Sequence, residues 1–129
     1  MLEWKEEYSI GVEQIDEQHR HLFEIGNKIY DLLENYLYVD KYDRIVAIIR
    51  ELKDYTKYHF QAEEDYMIEL KYPRYFSQKV EHDDFIKKIE EIDLESLDRD
   101  QDKHIRGILT FVFDWVLEHI LKKDMLIGA

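Results

Sequence analysis

The chain has 129 residues, a formal net charge of −12, 45% hydrophobic residues and no cysteine. That is the size of one domain able to bury a core without covalent staples, and the missing thiols exclude disulfides, zinc-thiolate sites, iron-sulfur clusters and cysteine nucleophiles. The acidic balance repels phosphate backbones and anionic bilayers, so neither nucleic acid nor membrane is an expected partner.

The first ten residues, MLEWKEEYSI, lack the basic-then-apolar pattern of a signal peptide, and no apolar run is long enough to cross a bilayer. A soluble, cytoplasmic protein is the expectation, with residues 1–129 as one domain. Residues 1–11 read as an arm packed by Trp4. Beyond it, four glycines and one proline in the whole chain leave one apolar rhythm after another uninterrupted, which predicts helices. The first helix is expected over about 12–37, with a core-facing stripe at Val12, Ile15, His19, Leu22, Gly26, Ile29 and Leu33.

The second helix is expected over about 41–71, capped by Asp40, with a stripe at Ile45, Ile48, Leu52, Tyr55, His59, Glu63, Tyr66 and Leu70. Pro73 disfavours helix at Tyr72 and ends it. A third helix, about 74–92, carries Tyr75, Gln78, His82, Phe85, Ile89 and Ile92 on one face. The polar stretch DLESLDRDQ reads as a connector, and the fourth helix, about 101–123, carries Ile105, Ile108, Val112, Trp115 and His119. Short connectors make neighbouring helices antiparallel, so the expected fold is all-α: an up-down-up-down four-helix bundle with an N-terminal arm.

At about 1.5 Å of rise per residue, His19 and His82 lie early in their helices, and His59, Glu63 and His119 late. Alternating directions bring all five to one end of the bundle. Asp124, five residues after His119, lies about 140° round an α-helix from it and is expected to turn inward only where the helix end frays. One histidine on an apolar face is more often a hydrogen-bonded core residue than a ligand. Four of them, level with one another and joined by a buried carboxylate, carry a heavy desolvation cost that a metal cluster removes. Six nitrogen and oxygen ligands exceed the needs of one tetrahedral zinc, and Glu63 and Asp124 can each bridge, so two ions of iron, manganese or zinc are expected.

Other motifs fail. The Glu-x-x-His pairs of ferritin-like di-metal proteins are missing, and His59 with Glu63 does not form the His-Glu-x-x-His pattern of zinc proteases. His21 and His104 fall off the stripes and read as solvated, and Tyr55 and Tyr66 as packing residues.

The ordered set of Trp4 with YSIGVEQID, QHRHLF with His19, HFQAEE with His59 and Glu63, YP before the third helix, HDDF with His82, and WVLEHILKKD with His119 and Asp124 resembles the hemerythrins, in their bacterial single-domain form. The resemblance covers nearly the whole chain. It implies a non-haem site of two iron ions that binds molecular oxygen reversibly. One iron would be held by His19 and His59 and keep a position open to oxygen. The other would be held by His82, His119 and the residue at position 78, with Glu63, Asp124 and an oxo or hydroxo group bridging.

Position 78 departs from that pattern, since Gln78 stands where the family has histidine. Its amide oxygen coordinates iron, water takes the place, or the side chain hydrogen-bonds nearby. Reversible binding also needs an apolar pocket that excludes water. Leu22, Phe23, Phe60, Trp115 and Val116 could supply it, and the same residues would serve as the core of any bundle. Three functions compete: an oxygen carrier, store, scavenger or sensor that is not an enzyme; a di-iron enzyme with peroxidase, oxidase or nitric-oxide chemistry; and a metal-free interaction module, which the level histidines oppose.

Overall fold

A computed structural model of the chain describes residues 3–35 and 40–127. After a short 3₁₀ turn at Glu6–Tyr8 come helices α1 (Glu13–Glu34), α2 (Tyr42–Leu70), α3 (Tyr75–Glu90), α4 (Leu94–Arg99) and α5 (Gln101–Glu118). A π-helical segment, His119–Asp124, continues α5 and leads into one last turn, α6 (Met125–Ile127). There is no strand among the described residues. The expected extension of the first helix to residue 37 lies outside them.

Cross-helix pairs fix the directions. Lys28 of α1 meets Glu51 of α2, while Leu33, later in α1, accepts from Lys41 just before α2. Lys79 of α3 meets Glu64 of α2 and Glu90 meets Lys53. Phe85 of α3 packs on Trp115 of α5, and His82, earlier in α3, on His119. Each pair runs backwards in one partner, so α1, α2, α3 and α5 form an up-down-up-down four-helix bundle around one core that extends from Tyr8 to Ile120.

The arm is tied down by α1. The buried Asp16 accepts from the Ile10 amide at 2.9 Å and from the Ser9 hydroxyl, and Gly11 between them takes φ +82°, a left-handed turn that a side chain would strain. Trp4 packs edge-on against Tyr8 and Phe23.

Asp40 accepts from the Tyr42 amide at 3.0 Å at the start of α2. The same helix ends at Lys71, which turns left-handed (φ 55°) so that the amides of Lys71 and Tyr72 return to Ile68 and Met67. The chain has thus left the helix before Pro73 could force it out.

Two expectations change. The stretch read as a plain connector contains α4, capped by Asp93, whose carboxylate accepts from the amides of Glu95 and Ser96 and which buries Leu97. Along α2 the buried face is Ile45, Ile49, Leu52, Thr56, His59, Phe60, Glu63 and Met67, while Ile48, Tyr55 and Tyr66 are half-buried and Leu70 is exposed. A 3.6-residue period drifts round a helix of 29 residues, and the buried face follows that drift.

Candidate metal centre

One end of the bundle contains a buried polar cluster from every long helix: His19 from α1, His59 and Glu63 from α2, Gln78 and His82 from α3, and His119 and Asp124 from the segment after α5, each 4% exposed or less. Their donor atoms fall into two overlapping groups. His19, His59, Glu63 and Asp124 form one; Glu63, His82, His119 and Asp124 form the other; within each group the donor atoms lie within 4.8 Å of one another. The two carboxylates belong to both.

The distances show how each carboxylate divides itself. Asp124 directs Oδ2 to His19 Nε2 at 2.9 Å and Oδ1 to His119 Nε2 at 3.0 Å. Glu63 places Oε1 3.1 Å from His59 Nε2 and 3.4 Å from His82 Nε2, and Oε2 3.4 Å from His19 Nε2. The Nε2 atoms of His82 and His119 face each other at 3.0 Å.

Asp124 reaches the cluster through backbone geometry. Five residues separate it from His119, a spacing that an ordinary α-helix would scatter. The π-helical segment spans those two residues as its ends and lies over the site, with i to i+5 bonding that brings both to one face. The expected fraying does not occur: the segment is wound more loosely and remains helical.

Behind the donors lies a layer the sequence reading missed. His59 Nδ1 donates to Gln18 Oε1 at 2.7 Å and His82 Nδ1 donates to Glu64 Oε2 at 2.9 Å, so each ring is oriented with Nε2 toward the cluster. Glu64 is itself buried and paired with Lys79 at 3.4 Å, and Glu81 lies 3.5 Å from His119 Nδ1. Phe60 stacks flat on His82 at 4.0 Å and Trp115 on His119 at 4.3 Å.

Of the pocket candidates, Leu22, Phe23, Phe60 and Val116 are buried and Trp115 half-buried. Phe60 and Trp115 meet the histidines, whereas the ring contacts of Phe23 are with Trp4 and Tyr8 of the arm. His21 is outside the cluster, partly exposed, 3.2 Å from Glu24 and packed on Tyr55. His104 is half-buried near the far end of α5.

The electrostatics are those of a cation site. Burial works against charge on His19, but Asp124 and Glu63 overcome it and push the ring up to about 10. His82 is pushed up to about 9 in the same way by Glu63 and Glu64. Burial holds His59 below the ordinary imidazole value. Glu63 is held well below the usual carboxylate range, its burial outweighed by His59, His19 and His82 around it. The two carboxylates thus favour positive charge where the ring nitrogens converge.

The donor set fits metal ions on three counts. Glu63 Oε1 and Asp124 Oδ2 are buried without a hydrogen-bond partner although ring nitrogens stand 2.9–3.4 Å away, because the donors converge on common points and not on one another. Bonds of roughly 2.1 Å to one ion would put neighbouring donors about 3 Å apart, which is the spacing seen. Imidazole and carboxylate without sulfur suit iron, manganese or zinc.

A helical bundle closing on two donor groups bridged by carboxylates defines a candidate dinuclear metal protein, and the comparisons give the family. The model for the Hemerythrin HHE cation binding domain matches residues 10–129. The chain is 52% identical to the bacteriohemerythrin of Clostridium acetobutylicum over 96% of both proteins, and 30% identical to that of Stenotrophomonas maltophilia over 96% of this chain and 77% of the relative. A crystal structure of wild-type hemerythrin superposes with a TM-score of 0.77 at 26% identity, covering 99% of this chain and 95% of that one. The chain belongs to the hemerythrin family.

Proposed function

We propose that this chain is a single-domain, cytoplasmic, non-haem di-iron protein that binds molecular oxygen reversibly, as a carrier, store, scavenger or sensor and not as an enzyme. The observation that carries the reading is the pair of donor groups sharing Glu63 and Asp124. His19 and His59 would complete the site of one iron, and His82 and His119 that of the other. When bound, two irons supply a pair of one-electron reductants beside a coordination position open to a small molecule.

The chain's own residues then have distinct tasks. Gln18 and Glu64 keep the Nδ1 protons of His59 and His82 engaged, so both rings present Nε2 to the ions. Glu63 and Asp124, whose oxygens face histidines of both groups, would be shared by the two ions. Phe60, Trp115, Val116, Leu22 and Phe23 keep bulk water and stray protons away, which favours release of oxygen intact over loss of a reduced product. No helix among the described residues is long and apolar enough to cross a membrane.

A second reading draws on Gln78. Its neutral amide, beside the His82 and His119 group, would hold that ion less firmly than imidazole and favour peroxidase, oxidase or nitric-oxide chemistry. Cycling the reduced, iron-loaded protein between air and inert gas separates the two. An absorption spectrum that changes in air and returns on purging, over repeated cycles, supports oxygen binding. Irreversible oxidation in the first cycle, with turnover of added hydrogen peroxide, supports the enzyme.

A further inference from the structure

On the His82 and His119 side of the centre, the amide of Gln78 stands beside Asp124 and lines a cleft open to the surface. Gln78 is 3% exposed; its Nε2 donates to Asp124 Oδ1 at a long 3.4 Å, and its Oε1 is buried with no hydrogen-bond partner. An unpaired buried amide oxygen is costly to hold, and turning the amide over would aim it, in place of Nε2, at a cation beside Asp124. The same side chain lines a surface cleft of about 210 Å³, together with Arg74, Ser77, Glu81 and Lys123.

Two cationic side chains against one carboxylate give that cleft a net positive lining, although Lys123 stands 3.7 Å from Glu81. Such a lining concentrates small anions at the buried end. The amide at that end is a neutral donor beside the carboxylates of Asp124 and Glu81, and a neutral oxygen binds a cation less strongly than a charged one does.

We propose that Gln78 Oε1 is a displaceable ligand of the ion held by Glu63, His82, His119 and Asp124, and that a small monovalent anion replaces it by way of the Arg74 and Lys123 cleft. The exchange is simple ligand replacement: the amide oxygen leaves, the anion binds, and no electron moves. The inference rests on the di-iron reading above and adds to it an exchange position on the second ion, distinct from the open position beside His19 and His59.

The test uses the full chain, iron-loaded and oxidised, with azide as the probe. Iron is counted first, and fewer than two ions per chain overturns the di-iron reading and this inference with it. With two ions present, calorimetric and absorption titrations should give two azides per chain for the native protein. Gln78→His, whose imidazole is not readily displaced, should give one azide at unchanged iron content. Gln78→Ala, which removes the competing amide and keeps the cleft, should still give two, the second bound at least several-fold more tightly than in the native protein. One azide per chain in the native protein at full iron content leaves the di-iron reading standing and overturns the exchange position. So does equal stoichiometry in the native and Gln78→His proteins, or an unchanged second affinity in Gln78→Ala.

Discussion

Removing one imidazole should distinguish a ligand from a bystander. His59→Ala takes away a donor that is 1% exposed and faces Glu63 at 3.1 Å, so iron retained per chain should fall. His21→Ala removes a ring that meets Glu24 and Tyr55 outside the cluster, and iron content should be unchanged. Glu64→Gln keeps the shape but weakens the bond that orients His82, and by the usual size of such effects should loosen iron about 10–100-fold, read as loss to a chelator. The metal-free protein should carry a pH signature of its own. His19 and His82 hold their protons more tightly folded, at about 10 and about 9, than an unfolded chain would near 6.5. Their contribution to stability is therefore full below that ordinary value, declines above it, and is lost as pH rises through 9 to 10. Urea unfolding midpoints of the metal-free protein should fall over that range. The iron-loaded protein, in which the rings have already given up those protons, should show a much flatter profile.

Helices and their ends determine which of these residues could be recognised in advance. His19, His59, Glu63, His82 and His119 sit on three- and four-residue stripes, and α-helical periodicity plus alternating direction is enough to bring them level. Asp124 is less legible, because five-residue spacing meets one face only in a π-helix and nothing in HILKKD announces one. Gln18 and Glu64 are hidden for another reason. Each is adjacent in sequence to a ligand position, His19 or Glu63, so it points about 100° away and serves a histidine on a neighbouring helix. Helix α4 has a single buried apolar residue, Leu97, and too little rhythm to be read from sequence. The elements that converge on the centre should also be those that loosen without it. On iron removal, amide exchange should accelerate around His59, His82 and His119–Asp124. It should stay unchanged around Ile29, Ile45 and Ile105, which belong to the hydrophobic core, and uniform acceleration along the helices would contradict that division.

Taken whole, the molecule is divided along its length. The far end is closed by apolar packing and by Lys41, buried and bonded to the Leu33 carbonyl and Asp102, while the near end concentrates four imidazoles and two carboxylates, all buried. Hydrophobic burial holds the bundle together, and cations make its polar end inexpensive to bury. That division explains how a fold legible from apolar stripes can carry a site whose chemistry depends on a few exact donor positions. The claim on which all else rests is that Glu63 and Asp124 are shared between two ions. Anaerobic titration of the metal-free chain with ferrous iron, followed by removal of excess and elemental analysis, tests it most directly. Two tightly held irons per chain are expected in the native protein, with Asp124→Ala weakening the hold on both. One iron per chain, or native and Asp124→Ala proteins that retain iron equally, would contradict it.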